Sequence, residues 1–101
     1  MEVRELRYFL AVAREENITR AAESLHIAQP SLSKQLMELE KKLGKKLLIR
    51  GKRKITLTEE GVLLRKRAEE ILELVEKTQQ EISSDTEDVI GDIYMGGGTP
   101  P

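Results

Sequence analysis

Apolar residues recur along most of this chain at spacings of three and four, the period of a helix with one buried face. Leu6, Phe9, Leu10 and Ala13 set one such stripe and predict a first helix from Arg4 to Arg14, broken at Glu16-Asn17. Ala21, Ala22 and Leu25 give a second, short helix a small inner face, with Thr19 as the expected N-cap. His26-Ile27-Ala28 form a corner with Ile27 turned inward, and Pro30 then fits a first helical turn, where its missing N–H is harmless. Leu32, Leu36, Leu39 and Leu43 predict one buried stripe on a third helix that ends at Gly44, a suitable left-handed cap. The pattern predicts a helix-turn-helix over about residues 18–37. Its second helix shows Gln29, Ser31, Ser33, Lys34 and Gln35 outward, hydrogen-bonding groups of the kind that read base edges in a major groove.

Beyond Gly44 the period changes. Leu47-Leu48-Ile49-Arg50 and Lys54-Ile55-Thr56-Leu57 read as short strands around Gly51-Lys52-Arg53, a hairpin with a cationic tip. Thr58 is the expected cap of a long last helix, Glu59 and Glu60 suit its positive end, and Leu57 is placed to staple onto Val62. Leu64, Ala68, Ile71, Val75, Thr78 and Ile82 follow at spacings of four and three. That is a two-in-seven seam, which marks a helix pairing with another helix. From Thr58 to Ser84 the helix would span about 40 Å, too long for so small a domain to bury. Homodimerisation is the expected solution. The alternative is a helix that packs back on its own domain near Val62 and Leu63.

The fold class expected is mainly α, a winged helix-turn-helix (three helices plus a two-stranded wing) followed by a long linker helix. It divides into a DNA-binding domain over residues 1–58, a linker and dimerisation helix over 59–88, and a segment 89–101. The last, running to Gly96-Gly97-Gly98-Thr99-Pro100-Pro101, looks like the cut-off first strand of another domain and is expected to be disordered. Its three glycines are followed by neither helix nor lysine, so a phosphate loop is rejected.

Net charge refines the picture. The total of −1 is unusual for a DNA binder, but it is unevenly spread. Residues 1–40 carry five Lys/Arg and seven Asp/Glu, residues 41–67 eleven against two, and residues 68–101 one against nine. A basic middle directly after a recognition-type helix points to phosphate contact, and a local field matters more than the sum. The chain has no cysteine, which excludes disulfides and thiolate metal sites. His26 is its one histidine, in the corner, and no nucleophile–base set or metal-ligand cluster accompanies it, so an enzyme is not expected. No apolar run is long enough to cross a bilayer, the N-terminus is charged, and a cytoplasmic location is expected.

The chain resembles the LysR-type family of bacterial transcription regulators, nearly continuously from Met1 to Gly61. Leu6-Arg7-Tyr8-Phe9, Thr19-Arg20-Ala21-Ala22, Leu25 with Ile27, and the run from Gln29 to Gln35 carry the likeness. So do Leu39-Glu40, Leu43-Gly44, Leu47-Leu48, Arg50 and Leu57-Thr58-Glu59-Glu60-Gly61. Lys34 stands where the family often has Arg, and Leu48 where Phe is common. The resemblance implies a homodimer through antiparallel linker helices, reading an inverted repeat on double-stranded DNA in the bacterial nucleoid, with tetramers possible at full length. It implies no cofactor within these residues; a small-molecule inducer would bind a following domain of two α/β lobes.

On this reading Gln29, Pro30, Ser33 and Lys34 face the major groove: Gln29 toward adenine, Pro30 toward a thymine methyl, Lys34 toward guanine. Thr19, Arg20, Ser31 and Arg50 hold phosphates. Arg53 enters the minor groove, with Lys52 and Lys54 beside it on the wing. The rival reading is a coiled-coil protein-interaction module whose basic stretch meets an acidic partner and has only non-specific affinity for nucleic acid. Gln29, Ser31, Ser33 and Lys34 are too polar for the core of a protein-binding groove.

Overall fold

The computed structural model describes residues 1–84. The readings made for residues 85–88 of the linker and for 89–101 lie outside the described residues. Four helices and a hairpin follow in order: α1 (Val3–Glu15), α2 (Ile18–Leu25), α3 (Gln29–Leu43), β1 (Leu48–Arg50), β2 (Ile55–Leu57) and α4 (Glu59–Ser83). The strands are antiparallel, with Leu48 opposite Leu57, Ile49 opposite Thr56 and Arg50 opposite Ile55. The architecture is the mainly α winged helix-turn-helix with a long final helix.

α1 lies at the centre and packs on α2, α3, α4 and β2. It therefore buries a wider face than its predicted stripe. Leu6 and Phe9 are buried as expected and Leu10 and Ala13 only half so, while Ala11, Val12 and the carboxylate-bearing Glu5 complete the face. Glu5 is sustained there because its Oε1 accepts the Glu2 N–H at 2.8 Å and its Oε2 the Lys42 ammonium, also at 2.8 Å. The ammonium hydrogen bond, then the backbone one, hold the Glu5 carboxyl below its ordinary value of 4.5, against the opposing effect of burial. The same contact raises Lys42 above 10.5.

The cap of α2 differs from expectation. Asn17, not Thr19, occupies the N-cap, its Oδ1 accepting from the Arg20 N–H at 2.8 Å. Both residue types cap well and stand two positions apart, so the choice falls to the tertiary fold. The α1–α2 and α2–α3 corners are each closed by a left-handed residue that is not glycine, Glu16 (φ 57°) and His26 (φ 59°). After α2, Ile27 N–H bonds back to the Ala22 carbonyl at 3.0 Å, which turns Ile27 onto the core.

Along α3, Leu32, Leu36 and Leu39 are buried, but Leu43 is 41% exposed and does not complete the stripe. Glu40 is buried in the last turns instead. Its Oε2 accepts the amides of Leu47 (2.8 Å) and Leu48 (3.1 Å), fastening the turn after Gly44 onto the recognition helix.

α4 starts as predicted at Thr58, whose Oγ1 accepts from Gly61 N–H at 3.0 Å and donates to the Lys46 carbonyl at 2.7 Å. A Cβ at Gly61 would overlap the Leu47 carbonyl oxygen, so the glycine permits that close approach. This contact fixes the helix's rotation and divides the predicted seam. Leu64 and Ala68 join the domain core; Val75 is half-buried; Ile71, Thr78 and Ile82 are exposed. Val62 and Leu63, where the alternative reading has the helix pack back on its own domain, are 47% and 56% exposed. Among the described residues no helix is long and apolar enough to cross a membrane.

Candidate nucleic-acid interface

The N-terminal half of α3 carries the predicted reading residues. With Leu32 and Leu36 pinned in the core, a helix of 3.6 residues per turn must turn Pro30, Lys34 and their neighbours away from it. Gln29, Pro30, Ser31 and Lys34 are exposed, and Ser33 is half-buried at the edge. Ala28 precedes the helix with no capping side chain and Pro30 has no N–H, so the Gln29 and Ser31 amides are the first-turn donors left uncapped.

One contact was invisible in the sequence. Thr19 Oγ1 donates to Gln29 Oε1 at 3.1 Å, joining the two helices of the motif across their corner. A carbonyl oxygen has a second lone pair and the amide nitrogen keeps its hydrogens, so Gln29 retains a donor–acceptor pair for an adenine edge. Arg20 stands beside it on α2, exposed.

The wing follows α3 in the chain. Gly51 N–H donates to the Lys54 carbonyl at 3.1 Å and closes a four-residue tip; a Cβ at Gly51 would lie 2.8 Å from that oxygen. Lys52 and Arg53 are exposed at the tip, and Arg50 is exposed at the end of β1. Lys54 differs from its neighbours, since its ammonium lies 3.8 Å from Glu16. Ile55 N–H also donates to the Glu16 carbonyl at 2.9 Å, so the base of the wing is tied to the α1–α2 corner.

The basic stretch therefore splits by partner. Lys42, Lys46 and Lys54 are within 4.0 Å of Glu5, Glu40 and Glu16. Arg20, Lys34, Lys41, Lys45, Arg50, Lys52 and Arg53 have no such partner among the described residues. Sequence reasoning missed Met37 and Lys41, which continue the outward face of α3 beyond Lys34, and Lys45 in the turn after the helix. The spacing Pro30–Lys34–Met37–Lys41, four-three-four, was the available signal. Among the described residues there is also no group of three or more His, Cys, Asp or Glu placed to hold a metal ion.

Residues 3–62 match the model of a family described as bacterial regulatory helix-turn-helix protein, lysR family. The chain is 47% identical over 97 residues to the HTH-type transcriptional regulator BsdA of Bacillus subtilis (strain 168), covering 95% of this chain and 33% of that protein. It is 52% identical over 79 residues to the Hca operon transcriptional activator HcaR of Escherichia coli (strain K12), covering 78% and 27%. The chain thus spans about a third or less of the curated relatives it matches. Among solved structures, the DNA-binding domain of BenM in complex with benA site 1 DNA is 44% identical with a TM-score of 0.79, covering 81% of this chain and 95% of that one. The DNA-binding domain of CbnR bound to DNA gives 41% and 0.78, covering 81% and 94%. Through the match over residues 3–62 and a shared winged architecture, this chain belongs to the LysR family of bacterial regulatory helix-turn-helix proteins, and its winged helix-turn-helix is that family's DNA-binding domain.

Proposed function

We propose that this chain reads an inverted-repeat operator as a homodimer, in the cytoplasm at the nucleoid. The observation that carries this reading is the exposed face of α3, Gln29, Pro30 and Lys34, together with a wing tip whose Lys52 and Arg53 have no acidic partner among the described residues. Gln29, Pro30, Ser33 and Lys34 face base edges. Arg20, Ser31 and Arg50 hold phosphates and set register, and Arg53 enters the minor groove with Lys52 at its flank. Thr19 serves Gln29 as well as any phosphate it meets, and Lys54 spends part of its reach on Glu16. The exposed apolar residues of α4, Ile71, Leu74 and Ile82 with half-buried Val75, supply the dimer seam. A pair so joined sets two recognition helices about 34 Å, or a multiple, apart on one face of DNA.

The test is fluorescence anisotropy of the chain on an AT-rich inverted-repeat duplex and on a scrambled duplex, across a salt series. Tighter binding to the repeat, two chains per duplex and a steep salt slope support the reading. Equal, weak binding to both duplexes overturns it. Arg50→Ala weakens binding to all sequences alike and lowers the salt slope by about 1. Gln29→Ala instead relaxes discrimination at one base pair per half-site, by roughly 1–3 kcal/mol. If the two variants behave alike, the assignment of roles fails.

A further inference from the structure

Met37 is a large apolar side chain left 59% exposed in the middle of α3, on the face opposite the core. At about 100° per residue it lies roughly 20° from Pro30 in projection, with Lys41 about 20° and Lys34 about 40° to the other side of Pro30. It therefore continues the row that starts with the proposed reading residues, one turn beyond Ser33 and Lys34. The same row lines one open groove of about 820 Å³, where Pro30, Lys34, Met37 and Lys41 meet Lys45 and Lys46 of the following turn. Its charge is one-sided. Of the acids on the groove, Glu40 is committed to the Leu47 and Leu48 amides, which leaves Glu38 against the lysines. Lys34, Lys41 and Lys45 make no ion pair among the described residues.

An apolar centre ringed by unpaired ammonium groups fits a surface that is apolar in the middle and anionic at its rims. A thymine-containing major groove is such a surface, with its 5-methyl groups inside and phosphates on both edges. An acidic peptide has similar charge, but continuity with Pro30 and Lys34 favours DNA. We propose that Met37 reads a thymine methyl group in the major groove, and that Lys41 and Lys45 bind the phosphates flanking it. This rests on the DNA-reading function proposed above. Methionine suits the role because its unbranched, polarisable chain adapts to a methyl group without demanding one fixed rotamer. Removing a buried methyl contact is expected to weaken binding about fourfold.

The test selects duplexes from a random pool with the wild-type chain and with Met37→Ala, then replaces the selected thymine by uracil, which lacks only the methyl. Met37 is exposed, so the variant should melt with the wild type, and a thermal scan verifies this. The expected result is a thymine preference at one position per half-site that disappears in Met37→Ala. Uracil at that position weakens the wild type about fourfold and leaves the variant unchanged. Lys41→Gln and Lys45→Gln each lower the salt slope by about 1 without altering the selected sequence. The proposal is overturned if Met37→Ala selects the same thymine and responds to uracil as the wild type does. That is the result expected of a protein-docking surface. If the wild-type chain selects no sequence at all, the DNA-reading function itself fails, which is a separate result.

Discussion

At the scale of single residues, hydroxyl and amide side chains near the α2 corner have exchanged the roles their sequence suggests. Asn17 caps the helix, and Thr19, free of that duty, reaches Gln29. Asn17→Ala is therefore expected to lower stability by about 1 kcal/mol, whereas Thr19→Ala changes it by less than about 0.5 kcal/mol. Urea denaturation of both variants decides the matter; equal losses would return the cap to Thr19. The Glu5–Lys42 pair gives a second residue-scale expectation. A depressed carboxyl contributes stability that is present above its unfolded value near 4.5 and is lost as pH falls through the lower folded value. The raised Lys42 contributes below 10.5 and loses its contribution only as pH climbs through the higher folded value. The Tm gap between wild type and Glu5→Gln should hold at neutral pH and shrink below about pH 4.5. A gap that stays constant into acid would show that the pair does not stabilise through charge.

At the scale of elements, the period of apolar residues was sufficient to find all four helices and the wing, because each presents one buried stripe. It could not tell which surface covers a stripe. Leu64 and Ala68 continue the same spacing as Ile71 and Val75, yet the first two face their own domain. The difference is set by Gly61 against the Leu47 carbonyl, a contact between residues with no shared pattern. The same limit hid the buried carboxylate of Glu40, since its acceptors' partners are backbone amides that any sequence would supply. Leu43, at the last turn, lost its place for the related reason that the chain leaves the helix at Gly44. The reading face was legible as far as Lys34; Met37 was passed over because an apolar residue on a helix is ordinarily assigned to a core. Gly61→Ala should destabilise the domain by about 2 kcal/mol or more, since backbone on both sides must shift. A thermal scan in which the variant melts with the wild type would contradict the close approach.

At the scale of the whole molecule, one stretch of α4 is a wall of the domain and the next is open to solvent. Leu74 is 62% exposed and Ile82 81%. Leu74→Glu should leave the Tm of the winged domain within a few degrees while abolishing the dimer in sedimentation velocity. Affinity for a half-site should survive, and affinity for the full inverted repeat should fall to the half-site level. A monomeric wild type would remove the dimer from the proposal without touching the reading face.

The anchoring of α4 at Gly61, Leu64 and Ala68 also bears on how such a molecule can change over generations. Past Ala68 the helix runs unbroken to Ser83, and one inserted or deleted residue turns everything beyond it by about 100° and advances it by about 1.5 Å. The exposed residues of α4 would then leave the side that the proposed dimer pairs. Length changes at the wing tip, a turn between two strands, should spare the fold of the domain. In α4 they should survive only at lengths close to whole turns, such as seven or eleven residues, which restore the phase to within about 20°. In the proposed dimer the spacing of the two half-sites is thus a discrete inheritance, set by helical phase and not adjustable one residue at a time.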